Sequence, residues 1–289
     1  MRRATDFLRL MGGALPAFGL WTLALGWVAH VQAASSCDKP VYLTIDTGHM
    51  GVAPLVADVL ARHRVRATFF LANERTQAVG GRPEGSSLDD HWAGWWKQLA
   101  AQGHDFGSHT WDHVIWQADR PAGLRVKPTA GPRTGERFDL PDAGYCEQLQ
   151  RPATRFEQMT GQRMRAIFRA PGGRTSQRLL AVAQRCGWQH VPWTPNGFLG
   201  DELDSGRYPN AALLEQALQR VRTGEILLMH LGIWSRQDPW APAVLEPLIV
   251  GLKARGFCFE TLRQHPTFGA AGLAPRDAHA PVSAPAPAR

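Results

Sequence analysis

Asp46, His109, His113, Arg169 and His230 are the residues whose types and surroundings could do chemistry. Each stands at or just after the end of a short apolar, β-branched run. Asp46 closes Val41–Asp46, His109 closes His104–His109 with His113 in the following turn, Arg169 closes Ala166–Arg169, and His230 closes Glu225–His230. Two imidazoles spaced His-x-x-x-His, joined by an oxygen donor, suit a zinc-type divalent ion that keeps one position open for water. Such an ion acidifies water for attack on a carbonyl; a carboxylate can take the proton, and a histidine opposite can protonate a leaving amine. An arginine paired with the carboxylate would hold it ionised and oriented. The chemistry is that of a metal-assisted amide hydrolase. No Gly-x-Ser-x-Gly occurs, so a serine-nucleophile elbow has no place. Singly, each residue has an ordinary reading: an Asp that forms a turn, a surface Arg, a His satisfied in a core. Shared placement at strand ends is what separates the set from that background.

The elements that must position these residues alternate strand and helix. Strand-like runs lie at Val41–Asp46, Ala67–Ala72, His104–His109, Ala166–Arg169, His190–Thr194, Glu225–His230 and Phe257–Leu262. Helical patterns occupy Ala53–Arg64, Leu88–Gln102, Tyr145–Thr160, Thr175–Cys186, Asn210–Thr223 and Pro242–Arg255, several closed by a glycine such as Gly161. Helices between strands imply parallel pairing through right-handed crossovers. The expected fold is a single α/β domain, a deformed seven-stranded (β/α) barrel, whose strand carboxyl ends gather on one face. An open doubly wound sheet is the alternative, weakened because no Gly-x-Gly-x-x-Gly follows the first strand. Val114–Pro141, rich in Gly, Pro, Arg and Asp, reads as a long loop on the functional face.

Arg2 and Arg3 precede an uncharged stretch, Leu10–Ala29, and then Val31-Gln32-Ala33. Residues 1–33 therefore read as a secretory signal peptide, which places the protein outside the cytoplasm, periplasmic or secreted. Left uncleaved, the same stretch is long enough to anchor in a membrane. Residues 266–289, dominated by Ala and Pro, read as a disordered tail. The formal net charge is +7, and removing 1–33 takes away three Arg and one Asp and leaves +5. That excess is scattered, compatible with an anionic envelope and unlike a nucleic-acid footprint. Four cysteines without a Cys-x-x-Cys argue against thiolate metal sites and allow two disulfides in an oxidising compartment. Cys37 precedes the first strand and Cys258 starts the last, so a closing barrel would bring this pair together.

Three stretches and a fourth carry a family resemblance. Leu43-Thr44-Ile45-Asp46-Thr47-Gly48, Gly107-Ser108-His109-Thr110-Trp111-Asp112-His113, Arg169-Ala170-Pro171-Gly172-Gly173 and Leu228-Met229-His230 follow one another in this order. Over roughly residues 38–265 the chain resembles the NodB-like polysaccharide deacetylases, carbohydrate esterase family 4. The resemblance implies hydrolysis of N-acetyl groups on a cell-envelope or extracellular N-acetylglucosamine-type polysaccharide, with zinc or cobalt as the divalent cofactor. It implies Asp46 as general base, His230 as general acid, Arg169 as the tether of Asp46, and His109 and His113 as metal ligands. The backbone N–H of Gly172, where the family carries an aromatic residue, would be the oxyanion donor. Apart from the resemblance, Trp193 is expected near the same face, where an aromatic ring could stack on a sugar. Trp111, Trp116 and Trp234 are further candidates for that face.

Two departures follow. The family's metal-binding second Asp is Thr47 here. A water held by Thr47, or the imidazole of His49, would then complete the metal site, so the expected third ligand is not a carboxylate. The fourth motif is unclear around Trp193-Thr194-Pro195-Asn196, which leaves Asp201 and Asp204 as carboxylates that could tune His230. Alternatives to the deacetylase are a non-catalytic sugar-binding module on the same fold and an amide hydrolase acting on a small or lipid-linked substrate.

Overall fold

The computed structural model describes residues 37–276. The expected signal peptide, residues 1–33, and positions 277–289 of the expected tail lie outside the described residues. Along the chain, the strands are β1 (Pro40–Asp46), β2 (Thr68–Leu71), β3 (Arg75–Thr76), β4 (Gly85–Ser86), β5 (Asp105–Ser108), β6 (Val114–Arg120), β7 (Gly123–Pro128), β8 (Phe138–Pro141), β9 (Ile167–Phe168), β10 (Gln189–His190), β11 (Ile226–His230) and β12 (Cys258–Glu260). The helices are α1 (Ala53–Arg62), α2 (Asp90–Ala101), α3 (Asp142–Thr160), α4 (Gln177–Arg185), α5 (Asn210–Arg220) and α6 (Leu245–Ala254).

Every residue of β1 from Val41 to Asp46 is buried, and β2 and β5 are buried throughout, as strands covered on both faces should be. The main sheet is parallel and runs β10-β9-β5-β2-β1-β11, with β12 joined to the first residues of β1. This is the expected deformed (β/α) barrel. Its register levels the carboxyl ends of the strands. Asp46 stands opposite both His230 and Phe70, Leu71 opposite Ser108, and Ser108 opposite Phe168. His109 and Arg169 come next on their strands, so Asp46, His109, Arg169 and His230 reach the same rim. Trp92, Trp95 and Trp96 on α2 are buried, with Trp96 edge-on to Phe69 and Phe106 in the core under that rim.

Three readings need correction. Val114–Pro141 is not a long loop: β6, β7 and β8 form a separate antiparallel sheet. Leu124 and Val126 alternate with Arg125 and Lys127, and the two apolar residues are buried; the Gly and Pro content masked this period-two pattern. The fifth strand of the main sheet ends at His190, because Pro192 has no N–H to carry the ladder toward Thr194. Residues 266–276 do not behave as a tail. Phe268 and Ala274 are buried, Ala274 N–H donates to Met164 C=O at 2.9 Å, and the buried Arg165 guanidinium donates to the carbonyls of Phe268, Gly269 and Ala271. Apolar anchors outweigh the local Ala and Gly composition.

Cys37 is bonded to Cys258, as their placement suggested, with Cα atoms 5.9 Å apart, and Cys146 is bonded to Cys186. The first bridge closes 221 residues of separation. Cys258→Ser is expected to cost about 2–5 kcal/mol of stability, mostly through the unfolded chain. Urea unfolding of oxidised protein measures it, and an unchanged midpoint would contradict it.

Candidate active site

Asp46 and Arg169 form the floor. Arg169 Nη1 donates to Asp46 Oδ1 at 2.9 Å, Nη2 donates to Thr44 Oγ1 at 2.7 Å, and the guanidinium is fully buried over the Phe70 ring. Burial opposes ionisation of Asp46. The Arg169 guanidinium, helped by the His230 ring, outweighs it and holds the carboxyl below its usual range.

His109 and His113 lie with ring centroids 4.8 Å apart. The turn between them uses left-handed backbone at Thr110 (φ 62°) and at His113 (φ 49°), a conformation that non-glycine residues adopt only where surrounding structure enforces it. His109 Nδ1 lies 2.9 Å from the Arg169 carbonyl, which can only accept, so Nδ1 carries the proton. Burial lowers the His109 pKa to about 4, so the ring is neutral and Nε2 is a lone pair. That lone pair faces Asp46 Oδ2 at 3.4 Å. The contact is therefore two acceptors confronting one another, not an ion pair, and a cation beside them would relieve it. His113 Nδ1 is 2.5 Å from Thr129 Oγ1, which leaves its Nε2 available as well. A histidine anchored through one nitrogen with the other free is the arrangement of a metal ligand. The donor chemistry thus fits a divalent ion. Among the described residues, however, no three His, Cys, Asp or Glu side chains are already drawn together as a ligand set.

His230, level with Asp46 on the adjacent strand, is held by Asp201. Its N–H donates to Asp201 Oδ2 at 2.6 Å, and its Nδ1 lies 3.2 Å from both carboxylate oxygens. Burial works against the charged ring, but Asp201, then Asp46 and Glu202, outweigh it and raise the His230 pKa to about 9. Asp201 is thus the carboxylate that the unclear fourth motif left unnamed. Asp204 is spent elsewhere, capping the Arg207 N–H at 2.8 Å. Glu202 Oε2 lies 3.7 Å from His230 Nε2.

Thr47 and His49 differ from expectation. The Thr47 hydroxyl donates to Glu74 Oε2 at 2.5 Å and accepts from Ala72 N–H at 3.1 Å. Gly48 N–H donates to the same Glu74 oxygen at 2.7 Å. Gly48 itself has φ 107°, and a Cβ there would fall 2.2 Å from the Gly232 carbonyl, so only glycine lets this turn pass. His49 is not brought to His109 and His113. Its Nδ1 accepts from Gly51 N–H at 2.9 Å, and its ring packs edge-on to Trp234 at 5.2 Å. Glu74, which sequence reasoning missed, sits three residues past the end of β2, on the same rim as the others. A carboxylate just beyond a strand's carboxyl end was the signal available for it.

Gly172 lies in an exposed turn at φ 63°, and Gly173 beside it has room only for a hydrogen, because a Cβ would fall 2.3 Å from the Trp193 ring. Trp193 packs half-buried at 5.9 Å from the Arg169 guanidinium carbon. Trp234 is 56% exposed and flanked by Arg75, which makes it the open aromatic face nearest His49. Trp111 is occupied by the Arg151 guanidinium at 4.3 Å, and Trp116 donates from Nε1 to Asp119 at 3.0 Å.

A family model described as polysaccharide deacetylase matches residues 33–191. The chain is similar to the chitooligosaccharide deacetylase of Sinorhizobium fredii, 30% identical over 255 residues, covering 83% of this chain and 98% of that one. It is also similar to a peptidoglycan-N-acetylmuramic acid deacetylase of Bacillus subtilis, 25% identical over 226 residues, covering 78% of this chain and 70% of that one. Among solved structures, a family 4 acetyl xylan esterase from Clostridium thermocellum, in complex with a cobalt ion, aligns with a TM-score of 0.59 at 20% identity, over 83% of this chain and 95% of that one.

Proposed function

The chain belongs to the polysaccharide deacetylase family, and on that premise we propose that it removes N-acetyl groups from an N-acetylglucosamine-type polymer of the cell envelope or its surroundings, using a divalent ion held by His109 and His113. The observation that carries this reading is the pairing of opposite protonation states across one strand pair. Asp46 is held ionised by Arg169, and His230, level with it, is held protonated by Asp201. Two titratable groups whose surroundings push them apart make a base and an acid in one site.

Asp46 would take a proton from the attacking water as its oxygen bonds to the acetamide carbon. The Gly172 N–H would donate to the carbonyl oxygen as that oxygen gains charge. His230 would give its Nε2 proton to the sugar nitrogen as the C–N bond breaks, leaving acetate and a free amine. A bound zinc or cobalt ion supplies Lewis acidity toward the carbonyl and the water. A small cavity of about 40 Å³ lies beside His230, walled by Asp201, His49, Ile233 and Trp240. Export to the periplasm or beyond belongs to the same proposal and rests on Arg2, Arg3 and the uncharged Leu10–Ala29. Membrane contact enters only if that segment is retained.

Thr47 in place of a carboxylate favours one other reading, a sugar-binding module without turnover. Acetate release distinguishes the two. Deacetylation predicts acetate and free amine from N-acetyl oligomers. Oligomers bound but returned intact would favour the module.

A further inference from the structure

Position 47 has no carboxylate, but Glu74, three residues past the end of the neighbouring strand, brings one to it. We propose that Glu74 is the third protein ligand of the metal site, joining His109 and His113, and that Thr47 and Gly48 serve as the bracket that aims it. The inference rests on the metal-dependent reading above and names the carboxylate that reading lacks. It also replaces the expectation of a non-carboxylate third ligand.

Four observations converge. The first is the bracket itself. Both hydrogen bonds to the Glu74 carboxylate, from Thr47 Oγ1 at 2.5 Å and Gly48 N–H at 2.7 Å, fall on Oε2. That division leaves Oε1 as the oxygen for a cation. The Thr47 hydroxyl has one proton, spends it on Glu74, and accepts from Ala72 N–H. An Asp at position 47 would set two carboxylates against each other, whereas a threonine hydroxyl turns the same contact into a hydrogen bond. The exchange at position 47 and the carboxylate at position 74 are therefore one device.

The second is the mounting of Glu74. Its N–H donates to Ser87 Oγ at 3.1 Å, its C=O accepts from Ser87 N–H at 2.9 Å, and Ser87 is fully buried. One residue earlier, Asn73 N–H donates at 2.8 Å to the carbonyl of Trp111, inside the His109–His113 turn. The segment that carries Glu74 is thus fastened on one side to the β4 end and on the other to the turn between the two histidines.

The third is charge. The Asp46 carboxylate is matched by Arg169 and the Asp201 carboxylate by protonated His230. The Glu74 carboxylate is held by a hydroxyl and a backbone N–H rather than by a cation, so its charge can balance a dication. A divalent ion such as zinc favours an ionised carboxylate oxygen over a neutral hydroxyl.

The fourth removes the competing imidazole. His49 Nδ1 is occupied by Gly51 N–H, and the ring is wedged so tightly that a Cβ on Gly232 would fall 2.2 Å from its Cε1.

Isothermal titration of zinc and the visible spectrum of the cobalt form, both on metal-stripped full chain, test the assignment without relying on turnover. Glu74→Gln is expected to weaken zinc binding at least about 10-fold and to shift the cobalt bands, with the melting temperature of the metal-free protein unchanged. Adding Thr47→Asp to Glu74→Gln is expected to recover most of the lost affinity, because the carboxylate returns from the other strand. His109→Ala should abolish uptake. If wild-type protein binds zinc, His109→Ala loses it, and Glu74→Gln binds as tightly with the same cobalt spectrum, the Glu74 assignment is overturned while the metal reading stands. If wild-type protein takes up no metal, both fall. Should Glu74→Gln fail to fold, Glu74→Asp replaces it. Its shorter reach is expected to weaken zinc binding, and unchanged affinity overturns the assignment.

Discussion

His230→Ala is expected to lower acetate release at least about 100-fold with the fold intact, since a positioned general acid contributes that much or more. The side chain stands at the rim of the sheet with 13% of its surface exposed, and Asp201 retains the backbone N–H of residue 230 as a partner at 2.6 Å. The same histidine sets a pH dependence. Asp201 outweighs burial and raises its pKa to about 9, above the ordinary value of about 6.5. The proton needed for the leaving amine is therefore present at neutral pH, and the rate should fall as pH rises through about 9. The Asp201–His230 contribution to stability has the same sign, complete below about 6.5 and lost as pH rises through the folded value. Asp201→Asn removes the main cause of the raised pKa and should move the falling limb to lower pH. A limb that stays in place in Asp201→Asn would remove His230 from the acid role.

Asp46 and Arg169 give the second large effect. Asp46→Asn is expected to cut turnover at least about 100-fold by removing the base. Its amide oxygen can still accept from Arg169 Nη1, and Arg169 keeps its bond to Thr44 Oγ1 at 2.7 Å, but the buried guanidinium loses its counter-ion, so this variant is expected to lose stability while still folding. Arg169→Met instead strands the Asp46 carboxylate in a buried site, and losing one partner of such a pair costs about 3–5 kcal/mol. Asp46→Asn/Arg169→Met should recover much of that stability, since no unpaired charge remains, while staying inactive. Chemical unfolding of the four proteins checks this. A double variant no more stable than Arg169→Met would mean that Arg169 packs but does not hold a charge.

Much of this site is legible in the sequence because parallel strands make position informative. A polar residue that closes a buried run must emerge at the carboxyl rim, and Asp46, His109, Arg169 and His230 all do. The resemblance supplied roles that spacing alone does not. What stayed hidden depends on loops. Asp201 and Asp204 are equally plausible in sequence, and only the turn after Gly200 decides that the first meets His230 while the second caps Arg207. Glu74 was overlooked for a different reason. A missing Asp at position 47 directs attention to nearby residues such as His49, whereas the carboxylate that meets Thr47 stands three residues past the end of the adjacent strand, brought there by sheet pairing. The β6–β8 sheet was obscured by turn-rich composition, and the docking of residues 266–276 by a reading of composition that gave no weight to two apolar anchors.

The most direct test is acetate release from N-acetylglucosamine oligomers by metal-stripped protein, before and after zinc is returned. The account predicts little release from stripped protein and, on reloading, acetate in equal amount to new free amines on the sugar. Zinc-loaded protein that binds the oligomers and releases no acetate would contradict it.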